Sequence, residues 1–292
     1  MRVLILGATG MLGHMLWQVL RYSFDTWATI RGTPSSLARY GALFDPRRLI
    51  GGVDARSFPT VIRAFATVRP DVVINCIGVV KQLPEAKDPV LSLQVNALFP
   101  HLLADVCTAA GIRLVHISTD CVFSGRKGRY TETDTPDAED LYGRSKLLGE
   151  VNDPGCLTLR TSIIGRELAT THGLVEWFLS HQGGQVQGYT KAIYSGFPTL
   201  IFAQIIAKVL QEYPALSGLY HVSAEPINKY ALLCLLREAY RVPVEIEPCS
   251  DVCIDRSLDS SRFHAATTFM PQPWPEMVHM LASDAIPYDR WR

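Results

Sequence analysis

Two hydrophobic periods alternate over the first 160 residues of this chain. Short apolar runs rich in β-branched residues predict buried strands at 3–6, 26–30, 72–76, 114–117 and 157–159. Between them, apolar positions recur at helical spacing over 12–22, 60–68, 89–110 and 142–151. Strands alternating with helices imply βαβ crossovers, and so a parallel sheet wrapped by helices on both faces. Beyond residue 165 the alternation loosens. There, 174–181, 200–213 and 229–241 read as helices, 218–222 and 244–247 as short strands, and a Pro-rich tail follows. The expected organisation is a larger α/β region over 1–165 and a smaller α/β lobe over 166–292, with strands free to cross back.

The first strand runs straight into Gly7-Ala8-Thr9-Gly10-Met11-Leu12-Gly13, and the helical period begins inside that segment. The glycines therefore occupy a strand-to-helix turn. Free N–H groups and the helix dipole at such a turn hold a pyrophosphate, and glycine lets backbone approach it closely. The spacing is G-x-x-G-x-x-G rather than G-x-G-x-x-G. The expected fold is thus a Rossmann-type, doubly wound parallel sheet, with Gly7, Thr9, Gly10, Met11, Leu12 and Gly13 at a dinucleotide. Ligands in such sheets lie beyond the carboxyl ends of the strands.

Composition narrows the partners. The 292 residues are 48% apolar and 19% charged, and 28 Lys and Arg balance 28 Asp and Glu. No basic run tracks a phosphate backbone, which argues against nucleic acid. No uninterrupted apolar stretch reaches the roughly 18 residues of a membrane span: 72–80 is too short, and 200–210 is broken by Gln204 and Lys208. The first strand follows Met1-Arg2 directly, so no signal peptide and a cytoplasmic location are expected. Seven scattered cysteines without a C-x-x-C read as reduced thiols, and Cys249 and Cys253 lack the further ligands of a zinc site, so no metal is expected.

The second strand ends at Arg31-Gly32, with no acidic residue to bind ribose hydroxyls. That favours NADPH, with NADH as the alternative, because a cation there accepts a 2′-phosphate. Asp54 and Ala55 follow the short apolar approach 49–53, where Asp54 either meets the adenine side or caps the next helix. Cys76, Ile77 and Gly78 end the fourth strand, where a small residue allows backbone contact with the cofactor, and Lys81 follows on the nicotinamide side.

Tyr142 and Lys146 are four apart and share a helix face. A neighbouring ammonium is expected to lower the pKa of the phenol towards the range of general acid–base work. Thr119, past the strand at 114–117, would hold a substrate oxygen as charge develops on it. Thr119 and Asp120 stand in Ser118-Thr119-Asp120, between the glycine turn and the tyrosine.

These motifs resemble an extended short-chain dehydrogenase/reductase, and within it the dTDP-4-dehydrorhamnose reductase branch. The resemblance runs through residues 7–13, Val95-Asn96-Ala97, 117–125, 142–150 and 159–165, with weaker echoes at 196–199, 218–221 and 256–260. It implies Thr119, Tyr142 and Lys146 as the catalytic triad, Asn96 on the helix backing the site, and NADPH-dependent reduction of the C4 keto group of a nucleotide-activated 4-keto-6-deoxyhexose. Cys121 stands where 4,6-dehydratases carry a glutamate, which disfavours that reaction. An NAD-retaining epimerase and a non-catalytic NADP- or sugar-nucleotide-binding subunit are the alternatives. Lys191, Arg166 and Arg256 are available to a diphosphate, with Lys81, Thr119, Asp120 and Arg256 taken as substrate-side residues, and a homodimer stays open.

Overall fold

Every strand pair in the main sheet is parallel, so all its carboxyl ends share one edge. The computed structural model describes residues 1–82 and 84–291. The chain begins β1 (Arg2–Leu6), α1 (Met11–Leu20), β2 (Asp25–Thr29), β3 (Leu49–Ile50), α2 (Phe58–Val68), β4 (Val72–Asn75) and α3 (Pro89–Ser92). A π-helical turn, Leu93–Leu98, leads into α4 (Phe99–Ala110), then β5 (Arg113–Thr119), α5 (Leu141–Leu148) and β6 (Cys156–Thr161). The remainder is β7 (Ile163–Ile164), α6 (Leu174–Ser180), β8 (Gln185–Tyr194), β9 (Phe197–Pro198), α7 (Thr199–Glu212), β10 (Gly218–His221), β11 (Ile227–Asn228), α8 (Lys229–Tyr240), β12 (Glu245–Asp255), α9 (Ser261–Thr267) and α10 (Trp274–Ala282). The sheet order is β10-β6-β5-β4-β1-β2-β3.

Two cores sandwich this sheet, as apolar strands buried on both faces require. Val3 and Ile5 of β1 pack with Leu16 of α1 and Phe202 of α7 on one face. Leu4 and Leu6 pack with Val61 of α2 and Phe99 and Leu103 of α4 on the other. The strand at 218–222 becomes β10 and pairs with β6, so the chain returns to the main sheet after leaving it.

Two strands depart from expectation. The ten-residue β8 escaped the sequence reading because Gly188 and Lys191 break its alternation. Eleven-residue β12 was expected only at 244–247; Pro248 and an irregularity between Cys249 and Cys253 hide the rest. These two strands pair in parallel, with β11 antiparallel on the other edge of β8. Finally, Pro89–Ala110 is a helical run of 22 residues whose length and mean hydropathy match a membrane span, although Asn96, His101 and Asp105 interrupt it. Half of that window is buried in the fold, with Val95, Phe99 and Leu103 in the core, as expected of a core helix.

A buried ion pair anchors the site edge. Glu150, just past α5, accepts two hydrogen bonds from Arg160 of β6, both at 2.7 Å, and one from Ser118 of β5 at 2.6 Å. Arg160 also donates to His221 Nε2 at 3.2 Å, while His221 Nδ1 donates to the Tyr130 carbonyl at 2.9 Å. Burial and the neighbouring guanidinium lower the His221 pKa to about 4, so the imidazole is neutral and suited to accept. Glu150→Ala should therefore strand Arg160 without its counter-charge and cost about 3–5 kcal/mol in urea unfolding. A loss below about 1 kcal/mol would show that the pair does not anchor this edge.

Candidate functional site

The glycine turn is built to approach another backbone. Gly7 has φ +86°, and a Cβ there would stand 3.1 Å from the Ile77 side chain. A Cβ on Gly13 would stand 2.0 Å from the Gly7 carbonyl oxygen, so only glycine lets α1 start so close to β1. Gly10 is the N-cap of α1, no side chain caps that end, and its first turn holds no acidic residue. Thr9 and Gly10 are exposed and Met11 partly buried, while Leu12 packs into the core. Uncapped N–H groups on an exposed glycine cradle fit a pyrophosphate.

Beside this cradle, Arg31 is exposed and its charge bears on Asp54. Asp54 does not cap α2; Ser57 occupies that position. Its carboxylate is instead paired with Arg56, at 2.6 Å from Nη2, and that guanidinium lowers its pKa. Arg56, which sequence reasoning passed over, adds a second cation at this strand end. Ala55 is buried beneath them.

At the end of β4, Cys76 and Ile77 lead to an exposed Gly78. Burial pushes the Cys76 thiol up to about 12, so it stays protonated. Asn96, in the π-helical turn, accepts from the Val79 N–H at 2.8 Å and donates to the Val79 carbonyl at 3.0 Å. Its amide also donates to Ser145 of α5 at 3.2 Å. Asn96 thus clamps the loop after β4 to α5, and π-helical turns recur at functional sites.

Thr119 ends β5, and its hydroxyl donates to Asp120 at 3.1 Å while accepting from the Cys121 N–H at 3.1 Å. It also lies near enough to the Tyr142 phenol to bear on its titration. Lys146 is buried and donates from Nζ to the Ile117 carbonyl at 2.7 Å. The structure therefore brings Thr119, Tyr142 and Lys146 to one strand end, facing the side of the glycine turn. The expected lowering of the phenol pKa is not found: burial raises it, and the nearby Cys121 and Asp120 raise it further. Lys146 cannot compensate, because burial lowers its own pKa to about 8 and its ammonium is directed at the β5 backbone.

Asp120 is buried, which raises its carboxyl pKa, while Arg256 opposes the rise most. Arg256 donates from Nε to the Phe123 carbonyl at 2.8 Å. Lys81 is half exposed and paired with Asp140 at 2.6 Å. Arg166 is not available to a ligand: it is buried against Glu176 at 2.7 Å and Asp289 at 2.5 Å. Lys191 is exposed on β8. Sequence reasoning missed Lys229, on which the Asp120 and Cys121 charges bear; a lysine opening a helix was its one visible signal.

Sheet order, parallel pairing and the glycine turn define a Rossmann-type α/β protein. A family model described as the RmlD substrate binding domain matches residues 1–284, and the chain belongs to that family. It is 27% identical over 265 residues to methionine adenosyltransferase 2 subunit beta of Xenopus laevis, covering 86% of this chain and 75% of that protein. It is 34% identical over 150 residues to a dTDP-4-dehydrorhamnose reductase of Streptomyces griseus, covering 51% of this chain and 43% of that one. Among solved structures, a hypothetical dTDP-4-dehydrorhamnose reductase from Sulfolobus tokodaii superposes with TM-score 0.77 at 27% identity, covering 94% of this chain and 98% of that one. The fold is shared with the Bacillus anthracis dTDP-4-dehydrorhamnose reductase solved in complex with NADP, at TM-score 0.78 and 21% identity over 96% of this chain and 98% of that one.

The buried Lys146 predicts a pH dependence. Its folded pKa of about 8 lies below the 10.5 of a free lysine, so between them the unfolded chain binds more protons than the folded one. Stability from this group must then rise with pH across that window, by on the order of 1 kcal/mol per unit. Chemical denaturation at pH 8 and 10 should show this rise in the wild type and its loss in Lys146→Met. Equal slopes in the two proteins would contradict it.

Proposed function

We propose that this protein reduces the C4 keto group of a nucleotide-activated 4-keto-6-deoxyhexose with NADPH. The observation that carries this reading is the meeting of Thr119, Tyr142 and Lys146 at the end of β5, on the sheet edge where the glycine turn of β1 opens. Residues 7–13 would hold the pyrophosphate, Arg31 the 2′-phosphate, and Asp54, Ala55, Cys76, Ile77 and Gly78 the rest of the dinucleotide along the strand ends. Bound there, NADPH supplies the hydride that reaches C4. Residues 1–165 then carry cofactor and triad, and 166–292 mainly the substrate.

The chain's own groups manage the proton. Burial keeps the Tyr142 phenol protonated at neutral pH, the form a general acid needs. As C4 becomes an alkoxide, Tyr142 gives its proton to that oxygen and the Thr119 hydroxyl, turned from Asp120, donates a hydrogen bond to it. Lys146, whose ammonium has two donors beyond the one spent on Ile117, would hold the nicotinamide ribose. Solvent then reprotonates the tyrosine.

A second reading is supported by the curated relatives called methionine adenosyltransferase 2 subunit beta, 27–29% identical over 83–86% of this chain: a subunit that binds dinucleotide and sugar nucleotide without turning them over. An intact Tyr142 and Lys146 favour the reductase, since binding alone does not need the pair.

Purified protein given dTDP-4-keto-6-deoxyglucose should consume NADPH in preference to NADH. Tyr142→Phe should keep its NADPH affinity in calorimetry and lose about 10²- to 10⁴-fold in turnover. Undiminished turnover in that variant removes the phenol as the acid, and no turnover in the wild type with tight NADPH binding favours the binding subunit.

A further inference from the structure

His14 is a polar side chain inside the apolar packing of α1, fully buried among Leu12, Met15, Leu16 and Trp17. A buried imidazole needs a partner for each ring nitrogen, and this one has both. Nδ1 lies 2.8 Å from the Gly10 carbonyl oxygen, and Nε2 lies 2.8 Å from the Tyr288 hydroxyl, 274 positions along the chain. A carbonyl only accepts, so Nδ1 carries the proton. Burial lowers the His14 pKa, so the ring is neutral and its bare Nε2 accepts from Tyr288.

Gly10 is the N-cap of α1, and its carbonyl already accepts the first helical hydrogen bond, from the His14 N–H at 3.1 Å. The imidazole adds a second. In a planar trans peptide the C=O and N–H point in opposite directions, so fixing the Gly10 carbonyl fixes the Met11 N–H. That N–H is among those left free at the uncapped start of α1. Hydrogen bonds in series polarise one another, so a carbonyl engaged twice also makes the Met11 N–H a stronger donor.

At its other end this series reaches the segment 284–291, beyond α10. Tyr288 is buried, meets the His14 ring edge-on at 5.7 Å between centres, and lies under the Arg166 guanidinium at 4.9 Å. Arg166 also holds the next residue, Asp289. The Tyr288 hydroxyl stands 3.2 Å from Asp284 Oδ2 as well, so one proton has two acceptors in reach. Turned to His14 it ties the segment to α1; turned to Asp284 it releases α1. Burial and the Asp284 charge raise the Tyr288 pKa, which keeps that proton in place.

We propose that His14 is a positioning residue that sets the Met11 N–H for the cofactor diphosphate, and that through Tyr288 it couples docking of the segment 284–291 to dinucleotide binding. This rests on the reading that residues 7–13 hold the diphosphate, and not on the reduction of a sugar. The coupling is reciprocal: a diphosphate drawing on the Met11 N–H strengthens the series through Gly10, His14 and Tyr288, and a docked segment raises affinity for the dinucleotide.

The test combines calorimetric titration of the full chain with NADPH and amide hydrogen exchange of 284–291 with and without it. Tyr288→Phe keeps the ring and loses only the hydroxyl, and should weaken NADPH binding roughly three- to tenfold. His14→Leu should weaken it at least as much. His14→Gln, which again offers one donor and one acceptor, should recover part of the loss. NADPH should slow exchange in 284–291 of the wild type and leave it unchanged in Tyr288→Phe. Full NADPH affinity in Tyr288→Phe overturns the proposal, as does wild-type exchange in 284–291 that NADPH does not alter. A wild type that binds no dinucleotide overturns the reading of residues 7–13 and the proposal with it. A wild type that shows the coupling yet consumes no NADPH with any keto sugar supports the proposal and overturns the reductase reading.

Discussion

A buried ammonium bonded to a strand carbonyl holds the site together. Lys146 reaches from α5 under the end of β5 and donates to Ile117 at 2.7 Å. That contact fixes the distance between helix and strand, and with it the meeting of Tyr142 and Thr119. Burial penalises the charge, and Glu150 offsets part of the penalty from the next turn of chain. Glu150 is itself held by Arg160 and Ser118, so the charge of Lys146 is tied into β5 and β6 together. Asn96 closes the same arrangement from the other side by joining Val79 to Ser145.

Parallel pairing turns these local contacts into one site. Because β1, β4, β5 and β6 all end on one edge, the glycine turn, the Gly78 loop and the triad meet there without any long-range motif in the sequence. Polarity then grades along that edge. Two cations, Arg31 and Arg56, flank Asp54 near β2 and β3, uncapped N–H groups lie at β1, and a buried Asp120 with partly buried Arg256 and Lys229 lies beyond β5. A long ligand with phosphates at one part and a polar sugar at another suits this gradient better than a small, uniformly apolar one.

The glycine turn was legible in the sequence because its signals are local. The run 3–6 and the glycines of 7–13 sit within a dozen residues, and the period changes where the helix begins. Tyr142 and Lys146 were legible for the same reason, being one helical turn apart. The second sheet was not, since β12 is exposed along most of its length and β8 and β12 carry Gly188 and Pro248 inside them. Lys229 was illegible because the carboxylate that bears on it, Asp120, is 109 positions away in sequence. The direction of the Tyr142 pKa shift failed similarly: spacing shows which groups are near, but burial decides which effect wins.

The most direct measurement is isotope transfer. Protein incubated with NADPH carrying deuterium at the reactive nicotinamide position and a dTDP-linked 4-keto-6-deoxyhexose would be followed by NMR of the sugar product. The account predicts deuterium on C4, in step with the NADP formed. A keto sugar that stays unlabelled while NADPH remains bound and unoxidised would contradict it.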